Sequence, residues 1–291
     1  MSVIAASESG QRLGVTQLRV INSEWVKFRS LRSTWWSVGI ALLIAMGLGV
    51  LFSALRGHDM SVHGDIEPDQ TALSLRGFYL AQLAVGVLGV LFVTGEYSTG
   101  MVRATLAAAP KRVPVWVAKA AVFTAALFVV SLAASFIAFL GGQALLHTYH
   151  LSGGGKFIVN NGGNVTTWGP DSVLGVSLGS PGALRAVFGA ALYIVGVGLL
   201  GMGCGWIIRN TGGAIAALFG LLLVLPLLAQ ALPSSLQDHV SKYLPLLAGT
   251  AGMSTIRDTN QLGPWAGLGV FALYVVAALL AGVVVLRRRD A

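Results

Sequence analysis

The sequence predicts an all-α polytopic membrane protein with six transmembrane helices. Three observations carry that expectation. Charged residues make up only 10% of the 291 residues and hydrophobic residues 55%, against about 25% charged in an ordinary soluble domain. A soluble fold of this size needs a charged surface, and 19 basic plus 11 acidic side chains do not cover one. The apolar residues also gather into six stretches close to the roughly 20 residues that a bilayer core requires. Finally, the 38 glycines are dispersed among apolar runs without a triplet repeat, which excludes a fibre or a low-complexity chain.

The elements follow in chain order. Before the first span, Leu18, Ile21, Trp25, Phe28, Leu31 and Trp35 recur every three or four residues. That is the helical period, and on a helical wheel they form a stripe roughly 140° wide. Arg19, Lys27, Arg29 and Arg32 surround the stripe; Arg32 falls near it and must snorkel. Residues 1–35 therefore read as a cytoplasmic tail and an amphipathic helix lying in a headgroup layer. A helical cap packed on the spans is the alternative. The spans are expected at 36–55, 78–94, 115–140, 186–208, 213–232 and 265–286. Trp35, Trp36, Trp116, Trp206 and Trp265 sit near their ends, as an interfacial belt would.

Between spans two and three, residues 95–114 form a connector in which Ser98 or Thr99 can cap a short helix running to about Ala108. Pro110 would stop it. A short helix clamped between two spans can pass force from a partner into the membrane; a solvated connector is the bland reading. Residues 147–184 are turn-rich, with Gly153-Gly154-Gly155 and Asn160-Asn161-Gly162-Gly163-Asn164, and one short strand is expected at 157–159. The middle of segment 233–264 is too apolar for a free loop and too short to span, which fits a re-entrant or interfacial helical hairpin. In span four, Gly201 and Gly205 have the small-xxx-small spacing that lets helices approach closely. Pro226 is expected to bend span five.

Six spans place both termini on one side. That side collects 13 basic residues and the other side 6, whereas 7 of the 11 acidic residues fall on the other side. The positive-inside rule therefore puts both termini in the cytoplasm. About 35 residues precede the first span, longer than the n-region of a signal peptide, so that span is expected to be retained. Neither end carries a lipidation motif. The net charge of +8 points to orientation and lipid headgroups as partners, and not to nucleic acid.

Little in the sequence supports chemistry. No Gly-x4-Gly-Lys-Ser/Thr loop is present, so ATP hydrolysis is not expected in this chain. The spans hold no Asp, Glu or His, and their one cation is Lys119, near the cytoplasmic end. Acid–base catalysis at membrane depth and proton coupling are therefore unsupported. The pairs His58 with His63 and His147 with His150 supply too few ligands for a closed zinc site. The single cysteine, Cys204, excludes an intramolecular disulfide. No catalytic, cofactor-binding or metal residues are assigned.

The stretch from Glu24 to Trp36, Glu-Trp-Val-Lys-Phe-Arg-Ser-Leu-Arg-Ser-Thr-Trp-Trp, resembles the opening of permease subunits of ABC-2 type transporters, particularly the actinobacterial ones. The stretch from Glu96 to Leu106, Glu-Tyr-Ser-Thr-Gly-Met-Val-Arg-Ala-Thr-Leu, is similar to that family's cytoplasmic loop. Leu184-Arg185-Ala186-Val187, the run from Arg209 to Ile215 and Leu225-Pro226 resemble its later landmarks. The resemblance spans nearly the whole chain, and residues 147–175 depart from it as an insertion. It implies one permease domain over 1–291 with a type V exporter-like fold: an amphipathic connecting helix, a cytoplasmic coupling helix and re-entrant outside helices. It also implies a bacterial plasma-membrane exporter, dimeric with a second copy or paralogue. Two cytoplasmic ATPase subunits would bind the ATP and Mg, and no cofactor is expected in this chain.

Under that resemblance Glu96, Tyr97, Thr99, Arg103, Lys111 and Arg112 contact the ATPase. Glu24, Trp25, Lys27, Phe28, Arg29 and Arg32 belong to the connecting helix beside it, and spans two and five line the path between protomers. The cargo is expected to be amphipathic or hydrophobic. Leu151-Ser152-Gly153-Gly154 spells part of the ATPases' own signature motif, but it falls outside by the charge rule and lacks a nucleotide loop. The competing expectations are a non-transporting sensor or anchor whose outside insertion binds a ligand, and an intramembrane enzyme working through the outside histidines.

Overall fold

Apolar side chains alone do not make a membrane-spanning element. In lipid each backbone N–H and C=O must also be bonded within the segment, and a helix does this locally. The computed structural model describes residues 17–30, 32–98, 100, 112–151, 155–159, 164–168, 171–256 and 260–289. Six of its helices are long and apolar enough to cross a membrane.

The elements are α1 (Gln17–Ser30), α2 (Arg32–His63), α3 (Gln70–Leu75), α4 (Phe78–Ser98), α5 (Arg112–Leu146), β1 (Gly155–Val159), β2 (Asn164–Trp168), α6 (Ala183–Ile208), α7 (Thr211–Ala229), α8 (Ser234–Val240), α9 (Pro245–Thr250) and α10 (Pro264–Arg289). The spanning helices are α2, α4, α5, α6, α7 and α10.

All six expected spans are present, and several run longer than hydropathy indicated. α5 has 35 residues, which at about 1.5 Å per residue is about 50 Å, well beyond a 30 Å hydrocarbon core. α2 has 32 residues and continues to His63. These projections are polar enough to escape a hydropathy window, and they are held by packing. Met60 on the projecting turns of α2 is buried with Ile66, Leu73, Leu146, Leu151 and Leu174 in a small satellite core.

α6 is the central helix, buried along most of its length, whereas α10 is largely exposed. It packs on α4, α5 and α10. Its approach to α4 is a backbone-to-backbone crossing. A β-carbon on Gly89 would collide with the Gly198 carbonyl, and one on Gly201 with the Gly86 carbonyl. The close contact therefore uses Gly198 and Gly201. At the expected partner, Gly205, the nearest atom would lie 3.2 Å from an added β-carbon.

α7 accommodates Pro226 through a π-helical turn at Gly220–Val224. The proline supplies no N–H and crowds the carbonyl four residues back, and a wider turn relieves both.

Residues 64–77 contain a helix that the sequence reading missed. α3 is capped by Asp69, whose carboxylate accepts from the Ala72 N–H at 2.9 Å. The same carboxylate accepts from Ser254 Oγ at 2.7 Å, Thr255 N at 2.6 Å, Thr255 Oγ1 at 2.8 Å and Ile256 N at 3.2 Å. One acid thus fastens α3 to the segment between α9 and α10. Gln143 of α5 donates to Gln70 O at 2.7 Å and accepts from Val176 N at 2.8 Å, while Gln70 Oε1 accepts from Gly175 N at 2.7 Å. These amides fix the loop before α6.

The 147–184 segment carries a strand where one was expected, extended to an antiparallel hairpin, β1 with β2, pairing Gly155 with Trp168 through Val159 with Asn164. Segment 233–264 forms α8, α9 and two short 3₁₀ turns. α9 is buried at Pro245, Ala248, Gly249 and Thr250, whereas α8 buries nothing.

Candidate functional site

At the α4 C-terminus three helices meet over a set of ionised side chains. The expected connector at 95–114 begins later than the sequence suggested. Gly95, Glu96, Tyr97 and Ser98 complete the last turn of α4, so Ser98 closes that helix. Thr99, Arg103 and Lys111, and with them the expected coupling helix, lie outside the described residues. Arg112 opens α5 and Arg32 opens α2; their side chains also lie outside what the structure describes.

Glu96 points inward. Its Oε1 accepts from Lys119 Nζ, two turns into α5, at 2.7 Å. Lys119 also pairs with Glu24 Oε2 of α1 at 3.0 Å, and both of those side chains are 1% exposed. Lys27 completes the set, 2.6 Å from Glu24 Oε1 and 3.7 Å from Glu96 Oε1. Among the described residues, two carboxylates and two ammonium groups make the cluster formally neutral. Neutrality is what permits its burial, because an isolated buried charge costs several kcal/mol.

Lys27 is partly covered, and desolvation alone would lower its pKa. The hydrogen bond and charge of Glu24, joined by Glu96, outweigh that and raise it above its ordinary value.

An aromatic floor lies beneath the ions. Lys119 Nζ sits 4.4 Å from the Phe92 ring centroid, a cation–π distance. Phe92 packs on Phe123 at 5.4 Å and on Phe28 at 5.5 Å. Phe28 is thus the residue of the expected amphipathic stripe that α1 inserts among the spans. Trp25 and Arg29 remain exposed. α1 is consequently docked on α5 through Val20, Ile21, Glu24 and Phe28. Glu24 faces the bundle and not the surface beside a partner. Gln17 adds a hydrogen bond to Pro114 O at 3.1 Å.

Tyr97 links this cluster to the other helices. Its ring meets Trp206 edge-on at 6.1 Å and lies 5.2 Å from the Arg209 guanidinium. Arg209 takes a left-handed backbone, φ 60°, at the turn between α6 and α7, and donates to Val285 O of α10 at 3.4 Å. Thr211 of α7 bonds Thr94 of α4 at 2.9 Å.

The structure brings Glu24, Lys27 and Phe28 of the expected connecting helix together with Glu96 of the expected contact set, while Tyr97 packs on Trp206 and Arg209. Sequence reasoning missed Lys119, Phe92, Phe123 and Arg209 as their partners. One signal was available: a lone cation inside an apolar span demands an acid nearby.

The ion pairs tie α1, α4 and α5 to one another beside the two ends of the 99–111 segment. Of the histidines considered as ligands, His63 pairs with Asp59 at 3.1 Å, and His147 Nδ1 lies 2.6 Å from Gln143 O. No group of three or more potential metal ligands occurs among the described residues. Of the two helices expected to line a path, α4 is mostly buried within the bundle and α7 is mostly exposed.

Comparison with protein-family models finds no match, and comparison with curated proteins finds none.

Proposed function

We propose that the chain is the permease subunit of an ATP-driven exporter of the ABC-2 type. It would lie in a bacterial plasma membrane with both termini in the cytoplasm, paired with a second copy or a paralogue. A separate cytoplasmic ATPase would bind ATP and Mg. The observation that carries the reading is the buried Glu24–Lys119–Glu96 cluster at the two roots of the 99–111 segment. A push on that segment by a nucleotide-closing ATPase would reach α4 through Glu96 and α5 through Lys119. Glu24 would take α1 along, so one contact shifts three helices together. Thr99, Arg103, Lys111 and Arg112 are the residues offered to the ATPase; Glu96 and Tyr97 transmit from behind them. The apolar spans favour amphipathic or hydrophobic cargo.

The test is co-purification of the full chain with the ATPase encoded beside it. A stoichiometric complex is expected, and the pair Arg103→Ala with Lys111→Ala should weaken it at least tenfold. A stable, functional chain that binds no ATPase would overturn the reading in favour of a sensor or anchor.

A further inference from the structure

Arg209 stands where a glycine is expected. α6 ends at Ile208 and α7 begins at Thr211, so only Arg209 and Asn210 make the turn between them. Arg209 caps α6 in the left-handed region, φ 60°, with its N–H bonding Gly205 O. That position usually falls to glycine and sometimes to asparagine, because most other side chains strain the backbone there. Asp171 is the one other non-glycine residue with positive φ among the described residues. A strained residue persists only where its surroundings hold it, and here the side chain supplies the hold.

An arginine at the end of a span ordinarily extends toward water or headgroups. Arg209 turns back into the bundle instead. Its guanidinium lies 5.2 Å from the Tyr97 ring centroid, and Nη2 donates to Val285 O at 3.4 Å. One side chain thus reaches from the α6–α7 turn to the ends of α4 and α10. Beside it Thr211 Oγ1 donates to Thr94 Oγ1 at 2.9 Å, and the buried Thr94 donates onward to Val90 O at 3.1 Å. Thr94 and Tyr97 are one turn apart and share a face of α4, whereas Glu96 between them faces Lys119. The last turn of α4 is therefore gripped from two sides. Asn210 fixes the start of α7, its Oδ1 accepting from Gly213 N at 2.9 Å. A turn so short and capped on both sides has no slack, so a shift of the α4 end must move the start of α7 or break these contacts.

We propose that Arg209 and Thr211 form a strap that couples the last turn of α4 to the start of α7, with Arg209 as a positioning residue. The strap connects the ion cluster's end of α4 to a helix that holds no ionisable residue of its own. The inference stands on these contacts and does not require the exporter reading; under that reading it is the route by which the 99–111 segment reaches α7.

The test is amide exchange, followed by mass spectrometry on the purified full chain in detergent and arranged as a double-mutant cycle. Glu96→Gln removes the charge that pairs with Lys119 and so loosens the last turn of α4. With the strap intact, exchange over residues 211–219 is expected to speed up, while exchange over 70–75, at the other end of the bundle, stays as it was. Arg209→Asn suits the left-handed backbone but lacks the guanidinium. In the background of Arg209→Asn with Thr211→Val, the same Glu96→Gln change should leave 211–219 at that background's own rate. Comparing rates within each background cancels what the strap variants do to stability by themselves. Thr211→Val alone leaves Arg209 in place; it should diminish the transmitted change, and it carries the test should Arg209→Asn fail to fold. An α7 that ignores Glu96→Gln with the strap intact, an α7 that responds as strongly without the strap, or a change of equal size over 70–75 would overturn the proposal.

Discussion

At one end of the bundle Glu24, Lys27, Glu96 and Lys119 join three helices through ionised groups facing each other. At the other end Asp69, Gln70 and Gln143 join a helix and two loops through one carboxylate and two amides, mostly bonded to backbone N–H and C=O groups. The difference is one of tolerance. Side-chain ion pairs have no fixed register, since a flexible lysine can follow a moving carboxylate while the charge stays paired. Backbone-directed bonds fix one geometry. Under the proposed function the first end would shift as a unit and the second would stay in place.

The sharpest way to break this contrast is Lys119→Ala, which leaves Glu24 and Glu96 with Lys27 as their one cation among the described residues. Unfolding of the detergent-solubilised chain should be destabilised by about 3–5 kcal/mol, read as a fall in the melting temperature. The triple variant Glu24→Gln, Glu96→Gln, Lys119→Met should recover most of that loss. Failure to recover would mean that the charges do more than neutralise one another.

At the opposite end Asp69→Ala removes a charged acceptor from several donors and should cost about 1.5–3 kcal/mol. Amide exchange at Thr255 and Ile256 should accelerate while α1 remains protected, which separates the two ends. Between the ends, Gly89→Ala pushes a methyl group into the Gly198 carbonyl. About 1–3 kcal/mol of overpacking is expected, with both ends losing protection because both hang from the α4–α6 crossing.

The smallest effect is that of pH. Lys27 has a raised folded pKa, so its contribution is complete below the ordinary lysine value of about 10.4 and fades as pH rises through the raised value. A melting profile taken from about pH 9 to 12 should fall more steeply for the native chain than for Lys27→Met. Coincident profiles would remove Lys27 from the cluster.

Much of this was legible in one dimension. The six spans follow from hydropathy, and Pro226 marked the span whose regular repeat is interrupted, though not that the interruption is a π turn. The amphipathic pattern of α1 found Phe28 but mis-set its face, because Glu24 lies on the buried side and only a partner on another helix makes that affordable. The boundary of α4 was placed too early for the same reason: Glu96 looked like a loop residue until Lys119 accounted for its charge. α3 was missed because it is only six residues long and half of them are polar, and Gln70 and Ser74 are buried only through hydrogen bonds made in three dimensions.

The sequence alone determined that the chain is a bundle of membrane-length helices, since apolar content and period are local properties that each segment carries with it. Tertiary structure decided which glycines touch, which acid neutralises Lys119 and which arginine turns back into the bundle. Lys119 lies 23 residues from Glu96, and Asp69 lies 186 residues from Thr255. Burial of a charge depends on what folds against it, and no local pattern encodes the partner.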